Sequence, residues 1–324
     1  MKAKLAGLME RSEICGVSAA KIDKENDDFY LGVMGVIPPF DSINVADGML
    51  YDLASLTKVV GTTTRILQLI DSGDLELQRS VSEVLPEFPT LTMTIEELLL
   101  HRSGLPADVK NKQFFTEEKF VAFLKNFKSA NHKETNYSDL GFLLLGLIIE
   151  RVDELDLNAS FQKNIFEPLE MTKTSYYPNF HTLIVPTEVT EKRGVIVGAV
   201  HDSKANQWPR PAGSAGLFAS LKDLRTFTTA IMLNKKADGG ALFSATLFAL
   251  LKDYTVSKRT LGWEKPFGEG ILYHTGFTGT SIGVDLVNQR ALVLLTNRVH
   301  PTRDNQEFLT NRVTVYRDFF KGEE

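Results

Sequence analysis

Ser55-Leu56-Thr57-Lys58 is the stretch from which the fold and the chemistry of this chain are read. A serine and a lysine three residues apart meet only on a helix, where positions i and i+3 share a face. The approach, Gly48-Met49-Leu50-Tyr51-Asp52-Leu53-Ala54, reads as extended. The next residues, Val59-Val60 through Ile66-Leu67 to Leu69-Ile70, read as an apolar helix ending near Gly73. Ser55 is therefore expected at a helix N-terminus, where free N–H groups and the helix dipole favour negative charge. That place suits an acyl-transfer nucleophile and its oxyanion. A free hydroxyl is a poor nucleophile. A lysine nitrogen one turn on takes its proton only when neutral, and lysine starts from a pKa of about 10.4. A desolvated site or a neighbouring positive charge would lower it.

The same spacing occurs three times, at Ser18/Lys21, Ser55/Lys58 and Ser160/Lys163. Local structure separates the copies. Gly16-Val17-Ser18-Ala19-Ala20-Lys21-Ile22 reads as a strand, and residues three apart on a strand face opposite sides. Ser160-Phe161-Gln162-Lys163 reads as helical, but it lies in a polar stretch after Asn158 and is expected to be a solvated face.

Two further elements accompany Ser55. Tyr137-Ser138-Asp139 opens a long apolar helix, Leu140 to Ile149. His274-Thr275-Gly276 closes a short strand, Ile271-Leu272-Tyr273, and leads into Phe277-Thr278-Gly279-Thr280. The order Ser-x-x-Lys, Tyr-x-Asn, Lys/His-Thr-Gly resembles the serine β-lactamase and penicillin-binding-protein superfamily. More narrowly it resembles the class C-like branch, which also holds carboxypeptidases, D-aminopeptidases and esterases. Three connecting segments resemble that branch as well. They are Leu98-Leu99-Leu100-His101-Arg102-Ser103-Gly104-Leu105-Pro106, Ser214-Ala215-Gly216-Leu217 with Asp223-Leu224 after it, and Thr296-Asn297-Arg298-Val299-His300-Pro301. The resemblance spans essentially the whole chain.

The resemblance implies Ser55 as nucleophile, Lys58 and Tyr137 as proton-transfer groups, and His274 as the third-motif residue. It implies an oxyanion hole from the backbone N–H groups of Ser55 and Phe277, the latter by its place just after His-Thr-Gly. Thr275, Gly276 and Asp139 fall on substrate-binding positions, and Arg298 is a nearby charge for a substrate carboxylate, with Arg303 an alternative. Two residues depart from the pattern. Asp139 stands where asparagine is usual; an ionised carboxylate cannot donate to a substrate carbonyl, so Asp139 either pairs with Lys58 or caps the helix. His274 stands where lysine is more common. With a reference pKa of about 6.5, it is expected to titrate near neutrality and to select between neutral and carboxylate-bearing substrates.

Composition sets the outer limits. The chain has 324 residues, 43% hydrophobic and 24% charged, enough for one large core or two lobes. A formal charge of −5 leaves no basic footprint for nucleic acid. A single cysteine, Cys15, excludes an intramolecular disulfide and is expected to be a buried structural thiol. No run approaches a membrane span, and the N-terminus, a short amphipathic helix, lacks the apolar core of a signal peptide. The expected location is cytoplasmic, although relatives of this type are often exported. Other chemistries find no motif: there is no Gly-x-Ser-x-Gly, no His-Glu-x-x-His and no Gly-x-x-x-x-Gly-Lys. His101, His132, His181, His201 and His300 are scattered without metal-ligand spacing. His101 is expected to be structural, and His201-Asp202 to form a surface turn rather than border the cleft. Neither a metal nor a cofactor is expected, and the oligomeric state is open.

Strands are expected at 15–22, 29–37, 271–274, 281–287 and 291–297, the last two joined as a hairpin through Asn288-Gln289. Helices are expected at 55–71, 95–101, 117–127, 138–152, 161–169, 222–233 and 242–251, with a terminal helix starting after Pro301. This is an α+β, β-lactamase-like pattern: an antiparallel sheet lobe flanked by helices and built from both chain ends (1–54 and 191–324), with a mainly helical lobe (55–190) inserted and the active site between them. The function expected is a metal-independent serine hydrolase working through an acyl-enzyme on small esters, amides or D-amino-acid peptides. Two alternatives accompany it: a D-Ala-D-Ala carboxypeptidase or weak β-lactamase, and a penicillin-binding or sensor module with little turnover.

Overall fold

The late apolar runs form the centre of the molecule. In the computed structural model, which describes residues 4–8, 14, 16–23, 27–31, 46, 48–108, 115–128 and 134–323, the strands in chain order are β1 (Val17–Ile22), β2 (Asp27–Leu31), β3 (Tyr51–Asp52), β4 (Val189–Thr190), β5 (Gly194–Val195), β6 (Phe218–Ala219), β7 (Arg259–Thr260), β8 (Trp263–Glu264), β9 (Ile271–Thr275), β10 (Ser281–Asp285) and β11 (Arg290–Thr296). Cys15, His132 and residues 32–37 lie outside the described residues. Seven strands make one antiparallel sheet in the order β2-β1-β11-β10-β9-β8-β7. β3 pairs with β6, and β4 with β5. The β10–β11 hairpin closes where Asn288-Gln289 placed it. The Asp285 carboxylate accepts the N–H groups of Val287 (3.1 Å) and Asn288 (2.9 Å), a local turn that stops the strand.

β11 reads as an unbroken apolar run because both faces of the sheet are covered. Ala291, Val293 and Leu295 point into a large cluster that also takes in the helices of the middle of the chain. Leu292 and Leu294 point the other way. They meet Leu5 and Leu8 of a helix at 4–8 and Phe308, Val315, Tyr316 and Phe319 of the terminal helix Glu307–Lys321. β1 alternates likewise, with Ala20 and Ile22 in the first cluster and Val17 and Ala19 in the second.

The helices fall close to their expected places. They include Ile95–Leu99, Glu117–Asn126, Asp139–Asp153, Leu221–Leu233 and Ala245–Asp253. Thr94 and Glu97 form a reciprocal capping box at the start of the first of these. The segment after Ser55 is a 3-10 turn (Ala54–Leu56), a π-helical stretch (Lys58–Thr63) and an α-helix (Thr64–Ser72). π-helical turns often mark functional positions. The helix stops at Gly73, which is left-handed at φ 83°.

Two expectations are corrected here. The terminal helix begins at Glu307, not just after Pro301. Residues between them are held in a turn, because Arg298 Nη1 donates to the carbonyls of Arg303 and Asn305 (both 3.2 Å). Ser160 is not on a solvated face. It is fully buried, and its Oγ donates to Asp153 Oδ2 (2.5 Å), which also pairs with Arg65. Ser18 is on β1 as expected, and its hydroxyl bonds with that of Tyr51 (2.8 Å).

Candidate active site

Four segments converge on Ser55. β3 delivers the chain to Ala54, which adopts φ 45°, a left-handed conformation that a non-glycine residue takes at a cost. The Asp52 carboxylate fixes this turn by accepting the N–H groups of Ala54 (2.8 Å) and His201 (2.6 Å). The 213–217 loop is then strapped along the nucleophile helix. Thr62 Oγ1 donates to the Gly213 carbonyl (2.7 Å), Leu53 N–H to the Leu217 carbonyl (2.9 Å), and Leu217 N–H to Thr57 Oγ1 (3.1 Å). Gly213 is required there, since a Cβ would run into the Phe142 carbonyl and the Gly146 backbone.

The turn between β9 and β10 closes the other side. Thr278 Oγ1 donates to the Asp52 carbonyl (2.7 Å) and Thr280 Oγ1 to that of Leu53 (3.1 Å). The 98–106 segment places Tyr137. The Asn136 N–H donates to the His101 carbonyl (2.8 Å), its Nδ2 to the Leu105 carbonyl (3.1 Å), and Ser138 Oγ to the Pro106 carbonyl (2.7 Å). His101 Nδ1 accepts the Ser138 N–H (3.0 Å), and its ring stacks on Tyr137 with centroids 4.3 Å apart. His101 is thus the structural residue expected, and it acts on Tyr137.

At the centre stands Lys58, fully buried. Its Nζ lies 3.0 Å from Ser55 Oγ, 2.8 Å from the Ser214 carbonyl and 2.7 Å from Asp139 Oδ1, and it is hydrogen-bonded with the Tyr137 hydroxyl. Burial acts to lower the Lys58 pKa, but Asp139 and Tyr137 outweigh it and the net direction is upward. Lys58 is therefore held as an ammonium. The expectation of a neutral lysine is corrected by the carboxylate beside it.

Of the two readings for Asp139, pairing with Lys58 is the one realised. Ser138, not Asp139, occupies the cap position. The second oxygen of Asp139 pairs with Lys204 (3.0 Å), a nearly buried lysine that also meets Asp108 (3.2 Å) and Asp202 (3.4 Å). Burial alone would raise the Asp139 pKa; the two lysines drive it well below the usual carboxylate range. Lys204 and Asp108 carried no sequence signal. Lys204 sits in a five-residue helix, Ser203–Gln207, too short for a pattern.

The cleft is a cavity of about 250 Å³. Ser55, Tyr137, Asp139, Lys204 and Asp108 line it, together with Phe277, His201 and Arg303. His201 borders the cleft rather than a surface turn: its ring stacks on Phe277 (5.5 Å), and Nε2 lies 3.1 Å from Glu188. Burial lowers its pKa and Glu188 only partly offsets this, so it is neutral near pH 7.

His274 is fully buried beside Tyr137, ring centroids 6.4 Å apart, with Nδ1 on the Thr275 carbonyl (3.1 Å). Burial first, then Lys58 and Arg259, hold its pKa well below the usual histidine range. It does not titrate near neutrality, which corrects its expected role as a pH-dependent selector. Arg298 does not face the cleft. It donates to the Phe277, Arg303 and Asn305 carbonyls and lies over the Phe277 ring (4.7 Å), so Arg303 is the arginine at the cavity. Thr275 ends β9, and Gly276 donates its N–H to the Thr280 carbonyl (2.8 Å). Tyr177-Pro178-Asn179 is a second Tyr-x-Asn, but its Tyr177 is 66% exposed and does not line this cavity.

The sequence profile of the beta-lactamase family matches residues 1–314. The chain belongs to the beta-lactamase family. Among its relatives is a putative D-alanyl-D-alanine carboxypeptidase of Escherichia coli (strain K12), 28% identical over 349 residues, covering 88% of this chain and 79% of that protein. Similar solved structures include a class C beta-lactamase (TM-score 0.77, 19% identity, 100% and 96% of the two chains). A beta-lactamase/D-alanine carboxypeptidase from Pseudomonas syringae superposes at TM-score 0.75 with 19% identity over 96% and 97%. A hydrolase with promiscuous acyltransferase activity gives 0.72 with 18% identity over 91% and 93%. These structures share the beta-lactamase-like fold. Putative carboxypeptidases are thus among its relatives by sequence, and beta-lactamases and a further hydrolase among its neighbours by fold. No helix among the described residues is long and apolar enough to cross a membrane.

Proposed function

We propose that this beta-lactamase family member is a serine hydrolase that works through an acyl-enzyme on Ser55 and acts on small esters, amides or D-amino-acid peptides. The observation that carries this is the set of partners around Lys58. An ammonium has three protons. Asp139 and the Ser214 carbonyl, which only accept, take two of them. The third serves either Ser55 Oγ or the Tyr137 hydroxyl. Lys58 therefore orients Ser55 and stabilises negative charge, and Tyr137 is the base.

In the proposed step Ser55 Oγ bonds to the substrate carbonyl carbon and its proton passes to the Tyr137 phenolate. The carbonyl electron pair moves to oxygen, facing the N–H groups of Ser55 and Phe277. Collapse expels the leaving group, which takes the proton from Tyr137. Water then repeats the sequence on the acyl-enzyme. A cavity of about 250 Å³ suits a small acyl group. A carboxypeptidase reading is favoured by Arg303, a cation in the cleft wall that is paired with Glu188 through Nε (2.7 Å) and Nη2 and would meet a terminal carboxylate beside that pair.

The test is intact-mass analysis after a fluorophosphonate and, separately, a penicillin. One adduct that maps to Ser55 and is absent from Ser55→Ala is expected. Labelling that persists in Ser55→Ala removes the nucleophile from this reading. A stable adduct without product on any chromogenic ester or D-aminoacyl amide would identify a binding or sensor module instead.

A further inference from the structure

Tyr137 has a second cation against its ring. The Arg259 guanidinium carbon stands 5.6 Å from the Tyr137 centroid, close to the 5.2 Å of Lys58 Nζ. Arg259 comes from β7, at the edge of the sheet, and is 8% exposed. Its Nη2 donates to Glu264 Oε1 (2.8 Å), its cross-strand partner in β8. Nη1 is buried and has no hydrogen-bond partner. A hairpin ion pair needs no burial, and leaving a guanidinium nitrogen unmatched inside a protein is costly. The burial places charge beside Tyr137.

The other groups around that ring leave room for such a contribution. From the nucleophile helix comes Lys58, but Asp139 sits 2.7 Å from it, with Lys204 on the far oxygen. The stacked His101 and, from β9, His274 are both kept neutral by burial and by neighbouring cations. Arg312, from the terminal helix, also acts on His274. Arg259 is thus the cation at the ring whose counter-charge, Glu264, is itself partly solvated, with its side chain 32% exposed.

We propose that Arg259 is a positioning residue acting through Tyr137: its buried charge stabilises the phenolate that receives the Ser55 proton. This rests on Tyr137 being the base. The acid limb of a kcat/KM profile reports proton loss from the base in the free enzyme. A cation at this range moves such a limb to lower pH, and Glu264 offsets part of the effect.

The experiment measures kcat/KM against pH for a neutral chromogenic ester in wild type, Arg259→Gln, Arg259→Lys and Glu264→Gln. Arg259→Gln is expected to move the acid limb to higher pH. Arg259→Lys should hold it near wild type. Glu264→Gln, which breaks the same ion pair but keeps the cation, should move it down. A purely structural role predicts that Arg259→Gln and Glu264→Gln lose activity together with the limb unmoved, and that outcome overturns the proposal. If Arg259→Gln fails to fold, the sign of the Glu264→Gln shift decides alone: downward supports, unmoved or upward refutes. A substrate-free readout is tyrosinate absorbance, taken as wild type minus Tyr137→Phe, with and without Arg259→Lys and Glu264→Gln. It should follow the same order. Tyr137→Phe with near wild-type turnover would sink the base assignment itself. An inactive Tyr137→Phe beside an unshifted Arg259→Gln sinks only the role of Arg259.

Discussion

Gly276→Ala tests whether the seam between the third motif and the nucleophile turn holds the proposed oxyanion hole together. A Cβ at 276 would stand about 1 Å inside the 3.4 Å at which ordinary contact with the Leu53 carbonyl oxygen begins, and it would also collide with Thr280 Oγ1. Neither neighbour has slack. The Leu53 carbonyl accepts from Thr280 Oγ1 (3.1 Å), and the Leu53 N–H is tied to Leu217 (2.9 Å). Relief requires the β9–β10 turn to withdraw by about 1 Å. Phe277 is on the withdrawing side and Ser55 on the fixed side, so their N–H groups separate. A misplacement of about 1 Å costs roughly 10²-fold, and loss of one oxyanion donor about 10²–10³-fold. Overpacking costs about 1–3 kcal/mol. Per-residue unfolding entropies make that only about 2–4 °C in Tm for a chain this long. The expected signature is therefore kcat lower by about 10²-fold, KM little changed and a small Tm shift. Steady-state ester hydrolysis with scanning calorimetry reads all three. A kcat within about threefold of wild type would refute the reasoning, because the clash would then have been relieved without disturbing the site.

Three further outcomes are expected. Asp139→Asn strips the shared counter-charge from Lys58 and Lys204 and should destabilise the fold by about 3–5 kcal/mol; a urea midpoint unchanged at pH 7 would contradict it. Because the folded-state pKa of Asp139 is depressed, its contribution is present above the ordinary carboxylate range and is lost as pH falls, so the variant should show a shallower loss of stability on acidification. Asp52 has the opposite sign: burial lifts its pKa to about 6, so the wild type gains stability as pH falls from about 6 toward 4, by up to about 3 kcal/mol. Asp52→Asn should lose that gain, and parallel pH dependences in the two proteins would exclude it. Arg303→Ala should lower the kcat/KM ratio of a carboxylate-bearing ester to its neutral analogue by about tenfold, equally from pH 5.5 to 8.5. A ratio unaltered by the substitution, or one that follows a histidine titration, would put the selector elsewhere.

The features legible in the sequence are those that local rules govern. The β9 to β11 runs, the turn at Asn288-Gln289 and the helix after Ser55 follow from apolar periodicity and turn chemistry. Each strand or helix there is decided by neighbours in the chain. The three Ser-x-x-Lys copies could be sorted because strand and helix geometry treat that spacing differently. The features that were not legible depend on where side chains spend their donors. Arg298 looks like a carboxylate receptor until its guanidinium is seen on three backbone carbonyls. Ser160 looks solvated until Asp153 is seen to accept its hydroxyl. His274 looks titratable until burial and the cations beside it are known. Lys204, Asp108 and Arg259 come to the site from distant segments, and their identity as single charged residues in short elements gave no pattern to read.

The position of β1 has a consequence for how the chain is made. Its neighbours in the sheet are β2, a few residues away, and β11, whose residues 290–296 leave the ribosome long after it. β1 therefore waits for the whole stretch between the two strands before its second edge is covered. Pairings across such separations form slowly, and uncovered edges invite intermolecular pairing. A nascent chain stalled or cleaved before residue 290 would leave two open edges at once, one on β1 and one on β10, with the apolar face of each unsheltered. The brief stretch of synthesis that adds β11 thus separates a protected sheet from a sticky one.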